Sequence, residues 1–203
     1  MNRKNINFVF PFFHQVEEGK GSNKNPQVIE AKGFAENVSG FKHHMGENLV
    51  MSSKETTGKD VNLFDLLGCT IKLYGALLTL HVNKLQNCTV FCGPVSSSVF
   101  IDDCKDCTFV LACQQLRVHT TVDTKFYLHV TSNAIVEDCA RVGFAAYNWN
   151  YDELTKHFKI AGIQDQENNW ALVKDFNWLR TDVQSPNWYI IPEEDQTKTW
   201  PDC

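Results

Sequence analysis

An arginine stands at the end of a short alternating run, Cys113-Gln114-Gln115-Leu116-Arg117. The apolar residues of the run predict buried positions, whereas Gln114, Gln115 and Arg117 predict an exposed rim. An exposed guanidinium can reach into the nucleotide site of a partner protein and neutralise charge on a transferring phosphoryl group. It can equally form a surface ion pair with no catalytic meaning. From the residue types alone, the ion pair is the simpler interpretation.

The eight cysteines are the second set of residues that could do chemistry. Cys88 and Cys92, together with Cys104 and Cys107, could supply four thiolates to a zinc ion. However, Cys88 and Cys107 occupy equivalent positions of a sequence repeat, so columns of buried thiols explain them without a metal. We therefore predict reduced cysteines and no bound metal. The pair His43-His44 is adjacent and lacks the spacing of metal ligands.

The sequence contains no Walker loop, no G-x-S-x-G and no H-E-x-x-H motif. We therefore predict that the chain binds no nucleotide or other cofactor of its own. Its formal net charge of −5 argues against a nucleic-acid surface and against an anionic membrane as the main partner. No apolar run approaches the roughly 20 residues of a membrane span.

The first 32 residues have a different texture from the remainder, being rich in Asn, Lys, Gly and Gln. They include an apolar stretch, 6–13, but Pro11 interrupts it and no small-residue cleavage site follows it cleanly. We interpret residues 1–32 as a leader or linker and residues 33–203 as one domain. Without an export signal, we expect a cytoplasmic protein and a monomer.

The elements that must position Arg117 are revealed by a repeat. Cys-Thr pairs begin at Cys69, Cys88 and Cys107, which are 19 residues apart. A second phrase, residues 99–104, returns as residues 134–139. Short runs rich in Val, Phe, Thr and Cys at a period near 20 are typical of a β-solenoid. We predict an all-β parallel β-helix over roughly residues 60–145, with equivalent residues stacked in columns about 4.8 Å apart.

The 19-residue period predicts the neighbours of Arg117. It places Ser98 one coil below Arg117 and Glu137 about one coil above. Glu137 would then lie beside the guanidinium, and the small serine would leave it free on the other side.

The repeat stops after Gly143, and the remainder holds all five tryptophans. Short helices are predicted around residues 151–160 and 168–179, and prolines break up the rest. Because the ends of a solenoid need a cover, we expect this Trp-rich segment to lie across the side of the β-helix and cap it.

Several phrases of the sequence resemble the tubulin cofactor C domain family. They are residues 88–100 (CTVFCGPVSSSVF), 113–117 (CQQLR), 132–139 (SNAIVEDC), 175–179 (DFNWL) and 185–188 (SPNW). Each phrase is weak evidence alone, but together, in this order and at family spacing, they are specific. The resemblance covers roughly residues 33–203.

The resemblance implies a right-handed parallel β-helix, in agreement with the repeat. It also implies a GTPase-activating function: with cofactors D and E, the family acts on the α/β-tubulin dimer, triggers GTP hydrolysis on β-tubulin and releases the folded dimer. By resemblance, Arg117 is the arginine finger, and Gln115 positions the attacking water or orients Arg117, unless it is a plain surface amide. Gln114, Glu137 and Phe176 would contact the partner, with Phe176 being core as the alternative. The partner would supply the GTP and the magnesium.

Two other functions stay open. One is a non-catalytic binding module, like the β-helical domain of cyclase-associated proteins. The other is activation of an Arf-like small GTPase. The sequence also lacks the long amphipathic pattern of the helical N-terminal domain that aids tubulin binding in the family.

Overall fold

The computed structural model describes residues 39–180 and 182–200, and within them twelve β-strands stack as the coils of a parallel β-helix. The predicted leader, residues 1–32, lies outside the described residues. The strands are β1 Ser39–Met45, β2 Asn48–Met51, β3 Asp60–Leu67, β4 Thr70–Leu73, β5 Thr79–Gln86, β6 Thr89–Asp102, β7 Thr108–His119, β8 Lys125–Val130, β9 Ala134–Glu137, β10 Val142–Ala146, β11 Val173–Asp175 and β12 Trp188–Ile190. Their pairings are parallel throughout. The predicted fold class is confirmed.

The coils present two faces that matter for function. The long strands β6 and β7 turn a corner and take part in both. We call the first the Arg117 face: it comprises β1, β3, β5, the last part of β6 (98–102), the last part of β7 (115–119), β9 and β11. The second face comprises β2, β4, the first parts of β6 and β7, β8, β10 and β12.

Inward-facing side chains form stacked columns that fill the interior. The predicted Cys column is confirmed: the Cys69 N–H donates to Sγ of Cys88 at 3.4 Å, and the Cys107 N–H donates to Oγ1 of Thr124 at 3.3 Å. On the second face, the rings of Phe109, Phe126 and Phe144 stack at centroid distances of 5.3 and 5.2 Å. Burial of these columns, at about 25 cal/mol per Å² of apolar area, is the main stabilisation of the fold.

The β-helix begins earlier than the predicted residue 60, because β1 and β2 form a further coil below β3 and β4. This coil lacks the Cys-Thr pair from which the boundary was predicted, so the sequence period did not mark it.

The C-terminal segment both lies along the β-helix and extends it. Trp149 and Trp200 pack on an outer column of the second face that contains Phe91 and Tyr127, while β11 and β12 add a last rung to β9 and β10. This last rung covers strand edges that would otherwise be exposed.

One of the two predicted C-terminal helices is confirmed. Helix α2 spans Leu154–Ala161 and ends at Gly162, whose left-handed φ of 71° suits glycine; the chain also has a four-residue helix α1, Ser53–Thr56, and a 3₁₀ turn at Glu193–Asp195. The helix predicted at 168–179 is wrong, because that segment forms β11 and turns. Asn168 accepts a hydrogen bond from the Val130 N–H at 3.0 Å and so directs the chain onto the edge of β9. None of the helices in the described part of the chain is long and apolar enough to cross a membrane.

Candidate functional site

Arg117 lies near the middle of the Arg117 face and points outward. Leu116 and Val118 on either side of it are buried, as the alternation predicts for a strand with one face in the core. On the strands next to β7, its register partners are Phe100 of β6 and Ile135 of β9. Gln115 and His119 precede and follow it by two residues and share its face.

The predicted column of Ser98, Arg117 and Glu137 is therefore wrong. Ser98 pairs with Gln115, and Glu137 pairs with His119. The coil between β6 and β7 contains 17 residues at this point instead of 19, so each partner of β7 moves by two positions. The two repeated phrases already contained this information: they are 35 residues apart and enclose one coil, which puts Arg117 between Phe100 and Ile135.

The guanidinium of Arg117 makes no hydrogen bond or ion pair with any residue that the structure describes. The other two arginines in the same part of the chain are both paired: Arg141 with Asp123 at 2.5 Å and Arg180 with Asp182 at 2.9 Å. The surface ion pair with Glu137 considered above is absent among the described residues. Arg117 therefore presents its cation to solvent beside an aromatic ring, that of Phe100, which is 39% exposed.

Both glutamines of the run are exposed, but in different places. Gln115 lies on the Arg117 face, directly above Ser98. Gln114 precedes it at the corner between the two faces, where its backbone carbonyl accepts a hydrogen bond from the Ser132 N–H at 3.1 Å. Of the two, Gln115 is placed to act together with Arg117.

Phe176 is 50% exposed and follows β11 on the same face. Its backbone N–H donates to the carbonyl of Val136 at 2.9 Å, which places it above Glu137 in the outward row that begins with His119. The ring is therefore not a core residue, although the burial of its other half anchors it.

Sequence reasoning missed other exposed apolar residues on this side of the molecule. Leu172, Leu179 and Val183 are 52%, 92% and 47% exposed and lie in the segment around Phe176. Phe100 could have been found, because the alternation of Val99, Phe100 and Ile101 points its ring outward. Exposed apolar side chains grouped around a cation are typical of a protein-binding surface.

The thiols contribute nothing to this site. Seven cysteines in the described residues are free and buried, and no group of three or more potential metal ligands occurs there. Burial raises the pKa of Cys104 to about 12 and also raises those of Cys92 and Cys113. Protonated, enclosed thiols behave as small hydrophobic residues.

A separate cleft of about 520 Å³ lies on the outer side of the second face. It is lined mainly by Lys72, Tyr74, Trp149, Tyr151, Lys198 and Trp200. The Lys72 ammonium is 5.4 Å from the centroid of the Phe91 ring. Because Arg117 is on the other face of the coils, this cleft is distinct from the candidate site.

The family model described as Tubulin binding cofactor C matches residues 58–176, which is more than half of the chain. The chain belongs to this family. The matched residues include Arg117, Gln115, Glu137 and Phe176.

Two groups of relatives and one solved structure agree with this. Tubulin-specific chaperone C of Homo sapiens is 48% identical over 163 residues, covering 80% of this chain and 47% of the relative. Tubulin-folding cofactor C of Arabidopsis thaliana is 43% identical over 157 residues, covering 77% and 45%. The chain thus spans about half the length of these curated relatives. A solved structure of tubulin binding cofactor C from Leishmania major shares the fold, with a TM-score of 0.54 and 23% identity, over 71% of this chain and 91% of that one.

Proposed function

We propose that this tubulin binding cofactor C domain stimulates GTP hydrolysis by β-tubulin in the α/β-tubulin dimer, acting with tubulin cofactors D and E. Arg117 is the arginine finger. The observation that carries the proposal is the exposed guanidinium, which has no partner among the described residues and lies at the centre of a face with exposed aromatic side chains. The relatives named as tubulin-specific chaperones and tubulin-folding cofactors supply the partner.

The physical argument concerns charge in the transition state. During phosphoryl transfer, negative charge spreads over the oxygens of the γ-phosphoryl group, and a guanidinium inserted beside them stabilises it, by a factor of about 10³–10⁵ in rate. An arginine already held by a carboxylate would lose that pairing on insertion. Arg117 is not held in this way, so its full positive charge is available to the partner's nucleotide site. The GTP and the magnesium belong to the partner.

The other proposed contacts surround the finger. Gln115 orients Arg117 or the attacking water, since it shares the face and lies two residues away along the strand. Phe176 anchors the partner as a half-exposed aromatic side chain, which is the residue type that dominates binding energy at interfaces. Glu137, below Phe176, and Gln114, at the corner, contribute polar contacts at the rim.

The test is a single-turnover measurement of GTP hydrolysis on tubulin with cofactors D and E. Arg117→Ala is expected to lower the stimulated rate by at least about 10³-fold while tubulin binding is retained, because a finger acts mainly on charge that develops in the transition state. Arg141→Ala is the matched control, as this arginine is exposed but paired with Asp123, and its rate is expected to be that of the wild type. If Arg117→Ala hydrolyses as fast as the wild type, the proposal is wrong. If rate and binding fall equally, Arg117 is an anchor and the domain is a binding module.

A further inference from the structure

His119 lies between two carboxylates on the Arg117 face. Its Nδ1 lies 2.9 Å from Oδ1 of Asp102 on one side, and its Nε2 lies 3.3 Å from Oδ2 of Asp138 on the other. The side chain of His119 is 27% exposed, so these pairs are only partly screened by water. A carboxylate can only accept a hydrogen bond, and the imidazolium is the one form of histidine that carries a proton on both nitrogens. The geometry therefore matches the charged form of His119.

The contacts of His119 belong to a longer hydrogen-bond network across the coils. On one side, Asn83 donates from Nδ2 to Oδ2 of Asp102 at 2.9 Å. On the other side, Asn177 donates from Nδ2 to Oδ1 of Asp138 at 2.9 Å and accepts from the Asp138 N–H at 2.6 Å. The network thus runs from β5 through β6, β7 and the end of β9 into the C-terminal segment.

The far end of the network fixes the residues on either side of Phe176. The Asn177 N–H donates to Oδ1 of Asp175 at 2.9 Å, which closes a tight turn around Phe176. Oδ2 of Asp175 in turn accepts hydrogen bonds from Ser185 at 2.5 Å and Asn187 at 2.8 Å. The position of the Phe176 ring is therefore coupled, through Asn177 and Asp138, to His119.

We infer that His119 is a positioning residue, whose imidazolium clamps the C-terminal segment bearing Phe176 to the strand bearing Arg117. As an account of partner docking, this rests on the function proposed above. The clamp itself is a property of the chain alone. It fixes the spacing between the aromatic anchor and the finger, which a partner must contact at the same time.

The charged groups around His119 give the clamp a defined pH dependence. Asp102 and Asp103 face it from the end of β6, Glu137 and Asp138 from the end of β9, and Arg117 lies two residues earlier on its own strand. Burial alone would lower the pKa of His119, but the hydrogen bond to Asp102 and the charges of Asp102, Asp138 and Glu137 outweigh it, so the pKa is raised above 6.5. The clamp is complete at lower pH and weakens as the pH rises through that raised pKa.

Hydrogen exchange of the chain alone tests the clamp, with three variants at about pH 6 and about pH 8, each compared with the wild type at the same pH. His119→Gln removes the charge and is expected to speed exchange at residues 172–180 by roughly tenfold at the lower pH, because exchange by local opening reports the free energy of that opening. At the higher pH the difference should shrink. His119→Lys stays charged at both values and is expected to keep the segment protected at both. His81→Gln is the matched control, since His81 is an exposed histidine of the same face that contacts only the Phe100 ring, at 6.4 Å, among the described residues.

The inference is overturned if His119→Gln exchanges like the wild type at the lower pH. It is also overturned if His119→Lys behaves like His119→Gln, or if exchange rises evenly over all coils, since His119 would then be a packing residue. A tubulin-binding assay supplies the functional arm: His119→Gln should weaken binding about tenfold, the change that accompanies loss of one anchor. Because exchange is measured without tubulin, failure of the clamp and failure of the arginine-finger proposal give different results.

Discussion

At the residue scale, the chemistry of Arg117 depends on the shape of its side chain as well as its charge. A guanidinium is planar and offers several N–H donors in a fixed fork, which matches two phosphoryl oxygens at once, whereas a lysine ammonium is a compact point charge. The neighbouring positions of the face, Phe100, Ile135 and Gln115, leave that fork accessible.

Arg117→Lys should therefore be nearly as inactive as Arg117→Ala. We expect stimulated GTP hydrolysis on tubulin to fall by at least about 10²-fold, because the bidentate contact is lost although the charge remains. The thermal melt should be unchanged, since the side chain is exposed and makes no described contact. The measurement is a single-turnover rate beside a melt of the same variant. A lysine variant with the wild-type rate would mean that only net charge matters at this position.

Phe176→Ala should weaken tubulin binding more than it destabilises the fold. An aromatic anchor is worth about 2 kcal/mol, or roughly 30-fold in Kd, whereas truncating a half-exposed ring should cost the fold about 1 kcal/mol or less. Ile160→Ala on α2 is the control, because Ile160 has a similar exposure, 52%, and lies outside the Arg117 face. Titration with tubulin and urea unfolding measure the two effects. A large loss of stability with unchanged affinity would make Phe176 a structural residue.

At the element scale, the coil corners impose a left-handed backbone. In one column of corners, Asp65, Lys84, Asp103, Thr120 and Asp138 have φ values of 54°, 60°, 53°, 47° and 52°. Asp tolerates this conformation because its short side chain can bond locally, but a β-branched residue is strained there. Thr120 is the β-branched member of the column, immediately after His119.

Thr120→Gly should stabilise the domain by roughly 0.5–1 kcal/mol. Glycine adopts positive φ without the steric cost of about 1–2 kcal/mol, although it loses more backbone entropy on folding. The hydroxyl contact to Nδ1 of His119, at 2.8 Å, is lost and limits the gain. Asp103→Gly, at the equivalent corner one coil below, should be near neutral because Asp already tolerates the conformation. Urea unfolding of both variants checks this, and a Thr120→Gly variant less stable than Asp103→Gly would contradict it.

At the scale of the whole molecule, the histidines couple stability to pH in opposite directions. The raised pKa of His119 adds stability that is present below about 6.5 and is lost as the pH rises through the folded-state value. Burial lowers the pKa of His129, whose Nε2 is enclosed without a hydrogen-bond partner among the described residues. Below its unfolded value of 6.5, the unfolded chain therefore binds a proton more readily than the folded one, and stability falls as the pH falls.

We expect the free energy of unfolding to pass through a maximum near pH 6.5, at the ordinary pKa of histidine. His119→Gln should flatten the alkaline side of the maximum. His129→Phe should flatten the acidic side above about pH 5, where carboxylates do not yet titrate, because Phe keeps the ring contact with Phe158 and has no proton to bind. Urea unfolding across pH measures both. If His129→Phe leaves the acidic side unchanged, another group controls it.

The sequence alone determined the features that depend on local pattern. The Cys-Thr repeat predicted a parallel β-helix because equivalent residues of successive coils must stack, and the structure stacks Cys69, Cys88 and Cys107. Alternation predicted that Arg117, Gln115 and Phe100 point outward, because a strand places successive side chains on opposite sides. These inferences need no knowledge of which strand lies alongside.

Only the tertiary structure decided which side chains meet. The coil that carries Arg117 is shorter by two residues, and an even change keeps each side chain on its own side of the sheet but moves its partners by two positions. Arg117 therefore stayed on the surface as predicted, while its neighbour changed from Ser98 to Phe100 and Glu137 came to lie opposite His119. Likewise, residues 173–175 form a strand because the free edge of β9 offers hydrogen bonds that the amphipathic pattern of the segment does not reveal. Register and edge pairing are set by loop length and by distant backbone, and these decide what surrounds the finger.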